Sequence, residues 1–149
     1  LKIVVDANLF ASGLIRPNSN PGKILNLIKQ NQVELVLSPA IIREIKRILL
    51  YPKLQKYHRK TAQEIDAYFE DILMFAWIVE GTGIVDIIKD DSSDNKYWAC
   101  AYEGEADYIV SGDHHLLDIE TYEGIEILKV KAFLSVWEKE WESKDLPER

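Results

Sequence analysis

Four acidic residues stand where a catalytic carboxylate cluster would need them: Asp6, Glu44, Asp94 and Asp113. Asp6 sits in the β-branched run Lys2–Ala7 (KIVVDA), and Asp113 lies two residues beyond Ser111, the end of the run Asp107–Ser111 (DYIVS). In open parallel α/β sheets ligands sit beyond the carboxyl ends of the strands, so both aspartates are expected at one edge. An aspartate after a strand is also an ordinary turn-maker; two on comparable strand ends shift the balance towards a shared site. Glu44 flanks the apolar stripe of Ile41, Ile45, Ile48 and Leu49 instead of opposing it, and a carboxylate so placed needs a partner. A distant lysine or a metal ion would serve. Asp94 precedes the helical run Asn95–Glu103, which it could cap, and it shares a face with Trp98 and Ala101.

Four acids converging on one pocket repel one another unless cations intervene. Oxygen ligands without cysteine favour hard ions, Mg²⁺ or Mn²⁺. Such a cluster suits in-line phosphoryl chemistry, in which one ion acidifies an attacking water and a second steadies the leaving oxygen. No serine–histidine or cysteine–histidine pairing competes. His58 reads as an exposed or phosphate-touching residue, His114 and His115 as loop or helix-start residues, and Cys100 as a small core residue. Asp90 and Asp91 read as solvated neighbours of Asp94.

The elements that must position these groups follow from the apolar pattern. Lys2–Ala7, Val33–Leu37, Ile84–Ile88, Asp107–Ser111 and Ile125–Leu128 read as strands. Between them, Ser12–Gly22 reads as a loop and Lys23–Asn31 as a helix. Ser38-Pro39 is a start signal for a helix that runs to about Leu50 and stops before Pro52. Thr61–Val79 reads as one long amphipathic helix, broken by Gly81 and Gly83. The acidic loop Asp90–Asp94 leads into the helix Asn95–Glu103, and Lys131–Trp141 closes the chain as a helix. Strands alternating with helices predict a single α/β domain over residues 1–149, three-layered, with a central parallel sheet of about five strands.

The 149 residues can bury a core of their own, and their 47% apolar content argues against disorder. No apolar run approaches the roughly 20 residues a membrane-spanning helix needs. Leu1–Phe10 carries polar, chemistry-bearing groups and no cleavage site, so no secretory leader is expected. A single cysteine cannot close an internal disulfide, and a reducing cytoplasm is the expected compartment. The net charge of −7 hides a division: residues 1–60 hold eleven Lys/Arg against three carboxylates, a balance of +8, and the remaining 89 hold seven against 22, a balance of −15. Between Ile45 and Gln63 no acid occurs, while Lys46, Arg47, Lys53, Lys56, Arg59 and Lys60 accumulate. Such a patch is the footprint of phosphate contact, or else a solvated face balanced by the acidic half.

The order of these residues resembles the PIN-domain family, specifically the VapC-like toxins of toxin–antitoxin systems, over nearly the whole chain. Val4-Val5-Asp6-Ala7-Asn8 is similar to the family's first motif, and Ser38-Pro39-Ala40-Ile41-Ile42-Arg43-Glu44-Ile45 to its second. Asp91-Ser92-Ser93-Asp94-Asn95-Lys96, with Ala99 and Ala101, resembles the third, although Ser92-Ser93 stands where proline and aspartate are often found, which leaves the contribution of Asp91 open. Ala106-Asp107-Tyr108-Ile109-Val110-Ser111-Gly112-Asp113 resembles the fourth and most specific. The resemblance implies a metal-dependent endoribonuclease that leaves 5′-phosphate and 3′-hydroxyl ends. Asp6, Glu44, Asp94 and Asp113 would be the metal-binding acids, with Asn8 and Ser111 orienting the carboxylates and water by hydrogen bonds. It also implies a cognate antitoxin protein that blocks the site, and a homodimer. The stripe Phe133, Leu134, Trp137 and Trp141 suits a dimer face and core packing equally well.

Two other readings are weighed. Gly112-Asp113 with Asp118 imitates the last metal motif of haloacid-dehalogenase-type phosphatases, but that chemistry needs an acid two residues after its nucleophilic aspartate, where Asn8 stands. A catalytically inactive RNA-binding protein of the same fold would be marked by a missing carboxylate, and none is missing.

Overall fold

The computed structural model describes residues 1–82, 95–112 and 121–145. Six strands pair into one sheet: β1 (Lys2–Val5), β2 (Glu34–Leu37), β3 (Ala76–Ile78), β4 (Tyr108–Val110), β5 (Thr121–Tyr122) and β6 (Ile125–Leu128). Their spatial order is β3-β2-β1-β4-β6-β5, with the first five parallel and β5 antiparallel to β6. Successive side chains of a strand point to opposite faces. Ile3, Val4 and Val5 are nevertheless all buried, as are Leu35, Val36 and Leu37, so both faces of the central strands are covered. The arrangement is a three-layer α/β/α fold around a five-stranded parallel sheet. Glu123 and Gly124, both with positive φ, form the tight turn that lets β5 fold back on β6.

Seven helices occur among the described residues: α1 (Ala7–Ile15), α2 (Asn20–Lys29), α3 (Pro39–Leu49), α4 (Pro52–His58), α5 (Ala62–Ile72), α6 (Asn95–Glu103) and α7 (Val130–Asp145). Three depart from expectation. α1 begins directly after Asp6 and occupies part of the stretch read as a loop. Its Asn, Ser and Gly are weak helix formers, but burial of Ala7, Phe10, Ala11 and Gly13 against α2 and α3 overrides propensity. A Cβ on Gly13 would come within 2.8 Å of Leu25 Cδ1, which shows how closely α1 and α2 approach. α3 stops before Pro52 as expected, but Pro52 also opens α4 at its first turn, a helix not expected from the sequence.

The long helix expected over Thr61–Val79 is overturned. Thr61 and Glu64 form a capping box, and Ile65, Phe69 and Ile72 make the buried stripe, but α5 ends at Ile72. After a turn, Ala76–Ile78 pairs in parallel with β2, in the register Leu35 with Ala76 and Leu37 with Ile78. The β-favouring residues Trp77 and Ile78 meet a free edge of β2 that sequence periodicity cannot show. The expected strand Ile84–Ile88 and the acidic loop Asp90–Asp94 lie outside the described residues. The strands predicted near Lys2, Val33, Asp107 and Ile125 are all present, within about two residues at each end.

This topology puts the point where the chain reverses direction across the sheet between β1 and β4: β2 and β3 lie on one side of β1, β4 and β6 on the other. A crevice beyond the carboxyl ends of those two strands is where an open α/β sheet binds ligands. Phe10, fully buried and stacked on Phe69 at 5.9 Å, locks α1 under that crevice. Phe10→Ala should therefore destabilise the fold by about 3–5 kcal/mol, read as a lowered urea midpoint; a loss within the error of the titration would contradict this packing.

Candidate active site at the ends of strands β1 and β4

Asp6 is the N-cap of α1 and is only 4% exposed. Its Oδ1 accepts the Leu9 N–H at 3.0 Å, and its Oδ2 accepts the Ser111 hydroxyl at 2.5 Å and the Gly112 N–H at 3.2 Å. Leu9 belongs to α1, whereas Ser111 and Gly112 follow β4, so one carboxylate joins the two strand ends across the reversal point. Parallel pairing of Val5 with Val110, and the bond from Asp6 N–H to Val110 O at 3.0 Å, bring those ends level. Three donors fix the plane of the carboxylate, and the N-terminus of α1 favours its negative charge.

Glu44 comes to the same place from α3. Its Oε2 accepts the Tyr97 hydroxyl proton at 3.1 Å and forms an ion pair with Lys96. The Tyr97 oxygen in turn accepts the Ala7 N–H at 3.1 Å, so Glu44 and the residue next to Asp6 share one hydroxyl. Burial pushes the Tyr97 phenol far above its usual range, opposed by the Ala7 N–H and reinforced by the charges of Glu44 and Asp6. The hydroxyl therefore remains a proton donor to Glu44 at any ordinary pH. Of the two partners conceivable for Glu44, a lysine is present. Sequence reasoning missed both Lys96 and Tyr97; the available signal was a hydroxyl-bearing residue inside the buried run Tyr97–Ala101, since a buried hydroxyl needs a partner.

Asn8 is exposed, lines an adjoining cleft and holds neither carboxylate. Ser111 is fully buried against Asp6. Asp94 and Asp113 lie outside the described residues, as do Asp90, Asp91, His114, His115 and Asp118. Among the described residues no three His, Cys, Asp or Glu side chains form a metal-holding group. What the described residues supply is two carboxylates, one of which suits a cation particularly well. Asp6 is nearly buried, its hydrogen-bond donors are all neutral, and no cationic side chain among the described residues pairs with it. A buried carboxylate so placed is costly without a positive charge nearby, and an all-oxygen donor set matches Mg²⁺ or Mn²⁺.

The basic segment is divided in its duties. Lys46 pairs with Asp66 at 2.9 Å. His58, expected to be exposed or to touch phosphate, is spent on the backbone: its Nε2–H donates to Leu49 O at 2.7 Å and its Nδ1 accepts the Lys60 N–H at 2.9 Å. It is a strut joining the end of α3 to the exit of α4. Lys53, Lys56, Arg59 and Lys60 are exposed and unpaired with acids among the described residues. Cys100 is buried, its thiol pushed up to about 12 mainly by burial, and it is inert core as expected.

Comparison with known proteins agrees with this fold. The profile of the PIN domain matches residues 2–115. The uncharacterized protein MJ1680 of Methanocaldococcus jannaschii is 36% identical over 121 residues, covering 80% of this chain and 75% of that protein.

An unfolded tyrosine ionises near pH 10, whereas folded Tyr97 holds its proton well beyond that. Above about pH 10 the unfolded state therefore binds fewer protons, and stability falls as pH rises. Tyr97→Phe should cost about 1–3 kcal/mol at neutral pH, since Glu44 and the Ala7 N–H lose a partner, and should make the alkaline decline shallower. Urea midpoints from about pH 8 to about pH 11 report both effects; an unchanged alkaline slope would show that the buried hydroxyl is not the group responsible.

Proposed function

We propose, from the premise that the chain belongs to the PIN-domain family, whose members are generally nucleases, that it is a divalent-metal-dependent endoribonuclease. One observation carries the reading: a buried carboxylate, Asp6, rigidly held at the reversal point of the sheet and without a cationic partner among the described residues. PIN nucleases generally use divalent metals. Asp6, Glu44, Asp94 and Asp113 would hold Mg²⁺ or Mn²⁺, which when bound neutralises phosphate charge and acidifies water for attack on phosphorus.

The remaining work falls to the chain itself. Ser111 and Gly112 hold one oxygen of Asp6 and Leu9 the other, so the carboxylate keeps its orientation when a phosphate approaches. Tyr97 pins Glu44 relative to α1. Lys96 balances the Glu44 charge at the edge of the site. The unpaired cations of α4 and the turn after it offer phosphate contacts beside the acids.

The four motifs in order support a finer reading, a toxin component of a toxin–antitoxin pair. Its partners would be an RNA substrate, an antitoxin protein that covers the site, and a second copy in a homodimer. We place it in the cytoplasm on the strength of its single, buried cysteine. No helix among the described residues is long and apolar enough to cross a membrane. A second reading, a non-catalytic RNA-binding protein, is favoured by the Lys96–Glu44 ion pair, since Glu44 already has a cation. The phosphatase alternative leans on Asp118 and has no support from the family.

Asp6→Asn and Glu44→Gln should each abolish Mn²⁺-dependent RNA cleavage while leaving the circular dichroism spectrum intact, and EDTA should stop the wild type. Ser111→Ala should lower metal affinity or rate by about 10- to 100-fold. RNA that is bound but never cut, under either metal, would select the non-catalytic reading.

A further inference from the structure

Next to the acid pair a cleft with a volume of about 430 Å³ opens between α1 and α4, with Asn8, Ser12, Arg16, Ile48, Lys53 and Tyr57 among its walls. Its position is set by both acid-bearing helices. Asn8 lies two residues after Asp6, and Ile48 one helical turn after Glu44. Asn8, Ser12 and Arg16 recur every four residues and so form one stripe along α1, running about 12 Å away from Asp6. The stripe starts with hydrogen-bonding groups and ends in a cation at the C-cap of α1.

At that far end the Arg16 guanidinium stands 5.8 Å from the centroid of the Tyr57 ring. Tyr57 is 62% exposed, a large aromatic surface kept in water although the core is close by. Lys53 precedes Tyr57 by one turn of α4, exposed and with no acid paired to it among the described residues. Among the described residues no carboxylate lines the cleft, in a chain whose net charge is −7. The size falls within the range of about 300–1,000 Å³ typical of small-ligand sites. Cations for phosphate, an exposed aromatic ring for a planar base and polar groups leading to the acids match one ligand class, a nucleotide of a single strand.

We propose that this cleft is a nucleotide subsite: a base of single-stranded RNA stacks on the Tyr57–Arg16 shelf, Arg16 and Lys53 neutralise its flanking phosphates, and the strand is thereby laid across Asp6 and Glu44. This assignment rests on the nuclease reading and adds to it the side chains, Tyr57, Arg16 and Lys53, that would hold the substrate beside the acids. A base already paired and stacked in a duplex has no free face for the ring, so the subsite selects unpaired RNA.

The test uses a short oligoribonucleotide carrying 2-aminopurine, whose fluorescence is quenched on stacking, mixed with the full chain in EDTA so that nothing is cut. Wild type should quench the probe. Tyr57→Ala should abolish the quench and weaken binding about 10- to 100-fold, while Tyr57→Trp retains both. Arg16→Ala and Lys53→Ala should each reduce the slope of log Kd against log salt by about 0.7. Lys29→Ala, which removes the same charge from α2 outside the cleft, should leave the quench unchanged. Full quenching and affinity in Tyr57→Ala, or equal affinity for the duplex form, overturns the subsite; cleavage of RNA by wild type in Mn²⁺ would then leave the nuclease reading standing. A quench that depends on Tyr57, with no cleavage in Mn²⁺, keeps the subsite and removes the nuclease reading.

Discussion

A carboxylate taken out of water between two parallel strands has to be met by donors from both, and Asp6 satisfies that requirement with the first turn of α1 and the two residues after β4. The geometry of the site descends from this. Because Asp6 caps α1, the helix must start at Ala7, which points the Ala7 N–H at Tyr97. Because Tyr97 accepts that proton, its own is directed to Glu44, and α3 and α6 are tied to the same point. A neutral hydroxyl is the right link between Glu44 and the backbone beside Asp6, since it joins them without adding charge. Burial keeps it neutral.

Electrostatics divides the molecule in a way the net charge conceals. Asp6 and Glu44 meet beyond the carboxyl ends of the strands, whereas the exposed cations Lys53, Lys56, Arg59 and Lys60 follow one another through α4 and the turn beyond it. Part of that basic segment is structural. Lys46 is engaged by Asp66, and an exposed pair of this kind contributes little to stability, about 0–1 kcal/mol, but does take the lysine away from other anions. His58 sews backbone to backbone. Of the charges left over, Lys53 lines the cleft that adjoins the acids, together with Arg16 from α1. On the proposed nuclease reading these cations would offset the like-charge repulsion between RNA and an acidic protein.

Legibility varied with how far the deciding interaction lay along the chain. β1, β2, β4 and β6 were readable because both-face burial writes itself as continuous runs such as IVV and LVL. α6 was readable from its own pattern, as was the Ser38-Pro39 start of α3. α1 was not: ANLFASGLI has poor intrinsic helicity and is held by a cap on Asp6 and by packing on α2 and α3. The helix expected to run on to Val79 failed for a related reason, as the hydrogen bonds that convert Ala76–Ile78 to a strand come from β2, some forty residues earlier. In the site, the residue types and order of the acids were visible, while their tethers were not.

From sequence alone, the types and order of the candidate acids, the α/β alternation and the family resemblance were legible, because each rests on local spacing or on residue chemistry. Tertiary structure decided that Asp6 is gripped by residues over a hundred positions away, that Glu44 is met by Lys96 and Tyr97, that His58 serves the backbone, and that Arg16 faces Tyr57. Those pairings join helices and strands distant in sequence. The order in which strands assemble, with β4 returning to lie against β1, sets which of them meet, and no local periodicity encodes that order.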